Sequence, residues 1–170
     1  MSEASAGATT SVRRRKPAAG LVAFVAVLVL LGLLAAVCVP HPVGAARTYG
    51  KYEGKAVTTA KSALSDVATV QLAARTASEG RSFGPYVSVV ISDAEEGLSK
   101  VQGTFDSIQP PNEQADKLQS ELDQLLSDAL DHVRDVRVAA RRGELTDLAK
   151  TAQPLGDDAK KLQDFMDSHK

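Results

Sequence analysis

The distribution of apolar residues changes character once along the chain. From Ala18 to Val39, twenty-two consecutive residues (AAGLVAFVAVLVLLGLLAAVCV) carry neither a charge nor a strongly polar side chain. At about 1.5 Å per helical residue such a run crosses roughly 30 Å of hydrocarbon, so it predicts a transmembrane helix over residues 18–39. Lipid demands that backbone groups pair internally, which a helix achieves, and it tolerates Gly20 and Gly32. Beyond Pro42 the apolar residues return every three or four positions, the period of an amphipathic helix.

Four such stripes follow. Tyr49, Tyr52, Ala56, Ala60, Ala63, Val67, Val70 and Ala74 predict a helix over 46–78, whose Ala-rich face must be complemented by larger residues from elsewhere. Val87, Val90, Ala94, Leu98, Val101, Phe105 and Ile108 predict a second over 85–109, begun by Gly84-Pro85. Gly97 and Gly103 in its interior each cost about 1 kcal/mol relative to Ala. Leu118, Leu122, Leu125, Ala129, Val133, Val136 and Ala140 define a third over 111–142, with Pro111 in its first turn, Glu113 near its amide end and Arg141-Arg142-Gly143 as its stop. Leu145, Leu148, Ala152, Leu155, Ala159, Leu162 and Met166 define a fourth over 144–168. Pro154 leaves that stretch either kinked or split, with Asp157 and Asp158 able to support a restart. The expected fold is all-α: an N-terminal transmembrane helix followed by an antiparallel four-helix bundle over 46–169.

Arg13, Arg14, Arg15 and Lys16 precede the apolar run, whereas the fifteen residues from Pro40 to Gly54 hold only Arg47 and Lys51. This asymmetry sets the topology: residues 1–17 form an unstructured cytoplasmic tail, 40–45 an exit linker, and the bundle lies outside the cell membrane. The competing expectation is a signal peptide cleaved near Ala46, since Gly44-Ala45-Ala46 offers small residues to a peptidase and would release a secreted protein. The apolar run exceeds the usual signal core of about 7 to 15 residues, which favours retention. Cys38 lacks the small residue that lipidation needs immediately upstream, and Arg13-Arg14 lacks the apolar positions of a twin-arginine signal; a membrane-buried thiol and a topology-setting flank account for them.

Charge narrows the partners. Over 170 residues, 20 basic and 21 acidic side chains leave a formal charge of -1, and the part beyond the linker holds 16 basic and 20 acidic residues. Such a surface does not suit nucleic acid. With only one Cys, neither an intrachain disulfide nor a multi-Cys metal site can form.

No constellation assembles a reaction or predicts a cofactor. His132 shares a helical face with Asp128 and Asp135, but a strong metal site needs three or four converging ligands, and a solvated acidic patch is the simpler reading. Asp116, Glu121, Asp123, Asp128 and Asp131 specify no cleft that would make two of them an acid and a base. Gly97-Leu98-Ser99-Lys100 lacks the context of a phosphate loop. Arg134, Arg137, Arg141 and Arg142 form a candidate patch for an anionic partner, interspersed with Asp131, Asp135 and Glu144, so a charged helix terminus explains them more simply. Tyr49 and Tyr52 suit either the outer headgroup layer or the bundle seam; their continuation through Ala56 favours the seam.

Ile108-Gln109-Pro110-Pro111, the leucines at 118, 122, 125 and 126, and Ala139-Ala140-Arg141-Arg142-Gly143-Glu144-Leu145 resemble uncharacterised helical exported or membrane-anchored proteins of actinobacteria over roughly 108–165. The resemblance implies an envelope location and a helical module, and it carries over no catalytic residue. The function expected is therefore a noncatalytic, membrane-anchored envelope interaction or accessory module. Its partners would be the lipid bilayer, an envelope or membrane protein and further copies of itself. The alternatives are a small-ligand-binding receptor component or carrier, and an enzyme of unknown class.

Overall fold

Thirty residues without an interior proline, seven of them alanine, form the first helix, α1 (Tyr49–Ser78). The computed structural model describes residues 46–169; the expected transmembrane helix, its basic flank and the exit linker lie outside the described residues. After α1 come α2 (Gly84–Asp106), α3 (Glu113–Arg141), a single helical turn α4 (Leu148–Thr151) and α5 (Pro154–Ser168). No strand occurs among the described residues.

Local chemistry sets the boundaries. At Gly80 (φ 70°) α1 ends in a left-handed residue, with the Gly80 N–H donating to the Ala77 carbonyl and the Arg81 N–H to that of Thr76. At Gly143 (φ 78°) α3 ends in the same way, through Ala140 and Ala139. Both are paired-bond caps that a side chain at the left-handed position would strain. Pro85 occupies the first turn of α2, where its missing N–H costs nothing. The third helix starts two residues later than its proline suggests: Asn112 is the cap, its side chain accepting the Ala115 N–H at 3.0 Å, and Pro110 and Pro111 stay outside. The second and third helices also stop short of the predicted 109 and 142, at Asp106 and Arg141.

The fourth arm is split. Ala152 and Gln153 form a tight turn, and Pro154 starts α5 instead of kinking a continuous helix. Ser78, at the end of α1, stitches this region down: its hydroxyl donates to the Leu145 carbonyl (3.0 Å) and accepts the Ala149 N–H (2.8 Å), so it satisfies a donor in the first turn of α4 from a distance.

Successive helices run antiparallel. The start of α1 meets the end of α5 at Glu53 and His169, and its end meets the α3–α4 connection through Ser78. α1 and α3 each pack on both α2 and α5, which lie on opposite sides of that central pair. The face of α1 buries Ala56, Ala60, Ala63, Ala74 and Ala77 with Val67 and Val70. Into it pack Ile91 and Leu98 of α2, Leu122 and Leu126 of α3, Leu148 of α4, and Leu155 and Leu162 of α5, all fully buried. At one end the rings of Tyr52 and Phe105 stand 5.2 Å apart and close the seam.

The two interior glycines of α2 differ in kind. A Cβ on Gly97 would lie 2.9 Å from the Asp66 carboxylate of α1, whereas one on Gly103 meets nothing within 4 Å. Gly103→Ala should therefore stabilise the bundle by about 0.5–1 kcal/mol in chemical denaturation, while Gly97→Ala should gain less because Asp66 must rotate away.

Candidate functional site

Polar chemistry collects in three places. The first is inside the α3–α5 contact. Asp158 stands three residues after Leu155 and four before Leu162, a seam position that buries it with only 2% of its surface exposed. A carboxylate so placed needs a donor, and His132 of α3 supplies it: Nδ1 lies 2.6 Å from Oδ2. The other edge of the imidazole reaches the surface, since 37% of the His132 side chain is exposed. His132 thus turns to a residue 26 positions away on another helix. Its sequence neighbour Asp128 accepts instead from Gln124 Nε2 at 2.7 Å. Among the described residues no group of three or more His, Cys, Asp or Glu is arranged to hold a metal ion.

The second place is the end of the bundle where α1 and α3 begin and α2 and α5 finish. Tyr49 Oη donates to Glu53 Oε1 (3.1 Å), and His169 Nδ1 lies 3.2 Å from the same oxygen. Burial, then the hydrogen bond and charge of Glu53, raise the Tyr49 phenol above its ordinary range. Tyr52 is fully buried and its Oη has no hydrogen-bond partner. Burial first, then the charges of Asp123, Asp106 and Asp116, push it up to about 12. Asp123 is pushed up to about 6, chiefly by burial and then by its hydrogen bond to Asp106 and that residue's charge. Both tyrosines belong to the seam, as their spacing predicts.

The third place is the opposite end, at the α1–α2 and α3–α4 turns. Phe83, Tyr86 and Val89 are largely exposed, and the two rings stand 6.0 Å apart. The backbone at Gly84 approaches Leu145, so the start of α2 lies beside the α3–α4 turn. That turn carries Arg141 and Arg142, both exposed.

The predicted four-arginine patch is accordingly divided. Arg134 and Arg137 lean onto Glu95 of α2, Arg134 at 3.6 Å and Arg137 closer, and Arg134 also bonds Asp131 at 2.8 Å. These two serve the α2–α3 contact, while Arg141 and Arg142 stay with the turn. The flanking Arg13, Arg14, Arg15 and Lys16 lie outside the described residues. Sequence periodicity did not reveal the Asp106–Asp123 contact, the exposed Phe83–Tyr86 pair or the partner of His132. The available signal was an Asp at an apolar seam position, at 158.

Removing His132 leaves a buried carboxylate without its donor, so His132→Ala should cost about 2 kcal/mol of unfolding free energy. His132→Ala combined with Asp158→Leu should cost less than His132→Ala alone, which a double-mutant cycle in urea would read directly.

Comparison of the chain with protein-family models, with curated proteins and with solved structures found no match.

Proposed function

We propose that this chain is a noncatalytic interaction module of the cell envelope, held to the membrane by residues 18–39 and docking a partner protein through the far end of its bundle. Support for the tether is the uncharged 22-residue run behind four consecutive basic residues. Among the described residues no helix is long and apolar enough to cross a membrane.

The observation that carries the docking role is the exposed Phe83–Tyr86 pair, with Val89, at the same end as Arg141 and Arg142. An isolated exposed apolar residue is ordinary, but neighbouring aromatic rings accompanied by arginine match the composition of interface centres. The remainder of the bundle favours the same reading over a ligand carrier. Fully buried side chains from every arm occupy the seam, and the depressions lined by Asp147, Lys150 and Gln153, or by Glu95, Lys100 and Arg137, open at the surface. A small-molecule site ordinarily encloses most of its ligand.

The test is site-specific photo-cross-linking of the full chain in its native membrane. Cross-linkers replacing Phe83 or Tyr86 should capture one defined envelope protein, and one replacing Lys61 on the flank of α1 should not. A Phe83→Ser/Tyr86→Ser variant should lose the complex without loss of helicity. Equal capture from all positions, or none from the tip, would overturn the docking surface. A native product beginning near Arg47 and fractionating without membranes would overturn the tether.

A further inference from the structure

The docking surface continues from the tip into the groove between α2 and α3. Val89 stands seven residues before Glu96 and so on the same rim of α2, and Val138 stands one turn beyond Arg134 on the same face of α3. Glu96 and Arg134 line one open depression between the two helices, and both valines are exposed. The groove therefore runs from Phe83 and Tyr86 past Val89 and Val138 toward the contact of Glu95 with Arg137, apolar near the tip and charged at its middle.

Charge divides along the same line. From Tyr86 to Ser92 α2 carries no charged side chain, and from Val136 to Arg142 the chain carries three arginines and no acid. Glu95 is already taken up by Arg134 and Arg137. Arg141 and Arg142 are exposed, and among the described residues neither side chain enters an ion pair or hydrogen bond, although Glu144 follows in the turn. Residues 75–86 and 141–150, which form this end, hold five basic and three acidic side chains, whereas the whole region beyond the linker holds 16 basic and 20 acidic ones.

These features select among occupants. No strand occurs among the described residues, so an extended segment finds no sheet edge to pair with. A groove between two packed helices accepts a third helix, whose side chains at three- and four-residue spacing interlock with its ridges. A bilayer surface has no ridges to enter a groove. A second copy presenting the same face would set unpaired arginines against unpaired arginines.

We propose, resting on the docking role above, that the occupant is an acidic amphipathic helix of the partner protein. Its apolar side lies against Tyr86, Val89 and Val138, and its carboxylates accept hydrogen bonds from Arg141 and Arg142. A guanidinium offers a carboxylate two parallel donors, so such a pair fixes the direction and register of the incoming helix as well as attracting it. The valines supply contact area, and the arginines decide which helix is taken.

Photo-cross-linking of the full chain in its native membrane tests the identity of the occupant. A photo-reactive residue replaces Val89, and the adduct is digested and sequenced by mass spectrometry. The attached peptide should carry apolar residues at three- and four-residue spacing flanked by Asp or Glu. Arg141→Gln/Arg142→Gln should lower the adduct yield roughly tenfold, as the loss of charge-assisted contacts at an interface implies. Lys160→Gln, on α5, should leave the yield unchanged, and circular dichroism should show the same helicity in both variants. A lipid adduct at Val89, a peptide without acidic residues, or a yield indifferent to both arginines would overturn the acidic helix while the docking role still stood on the Phe83 and Tyr86 cross-links. So would no adduct at Val89 while Phe83 captures protein. No adduct at any of the three positions would overturn the docking role and this inference with it.

Discussion

The close approach of every other helix to α1 is the constraint on which the bundle depends. Its buried face is mostly alanine, and an alanine side chain removes little apolar surface from water by itself. Its use is geometric: small side chains let neighbouring backbones come near, so that the leucines, isoleucine and aromatic rings of α2, α3 and α5 bury themselves against the α1 backbone as well as one another. The stabilising area is thus contributed by the partners, and α1 supplies the surface that admits it. Gly97 continues this logic on α2, where the absent Cβ leaves room for Asp66. Burial there raises the carboxyl of Asp66 above the ordinary range, a modest cost of tight α1–α2 contact.

A central seam of this kind admits few polar groups; the Tyr52 Oη lies in it without a partner, whereas the buried carboxylate of Asp158 is met by one. Asp158 is the one buried charged residue among the described residues, and the imidazole that meets it comes from the only histidine in the middle of a described helix. Because an apolar seam can slide by a turn at small cost, while an unpaired buried carboxylate is expensive, the His132–Asp158 contact fixes the register of α5 on α3. Ser78 performs a comparable task at the far end, where it holds the α3–α4 connection to α1 through two hydrogen bonds.

The apolar periodicity made the helices legible because it reports which face of each segment must leave water. Tyr52, Leu98, Leu122 and Leu162 are all buried where their spacing puts them, and Gly143 caps α3 in the left-handed conformation expected of a glycine behind two arginines. Periodicity is silent on rotation and register, which only the packed bundle sets. Hence His132 looked toward Asp128 and Asp135 on its own helix, although its partner was Asp158, and Asp123 looked like a solvated charge until α2 brought Asp106 beside it. The start of α3 escaped for a local reason: Pro111 is acceptable in a first turn, but Asn112 caps better than a proline can, because its side chain replaces a missing hydrogen bond.

The same register also separates the chemistry. Antiparallel packing places the starts of α1 and α3 at one end and their finishes at the other, so the acidic first turn of α3, with Glu113 and Asp116, falls at the same end as Glu53 and the finish of α2, while Arg141 falls at the end where α2 begins. Helix dipoles favour this distribution within α3 alone, acid at its amide end and base at its carbonyl end. Across the bundle it has a further consequence. Carboxylates from different helices are concentrated at one end, where His169 meets Glu53, and the opposite end is left with arginine and uncovered aromatic surface. A carboxylate-rich end and an end bearing arginine and exposed aromatic rings are therefore two results of one alignment, and a shift in the register of α3 would alter both together.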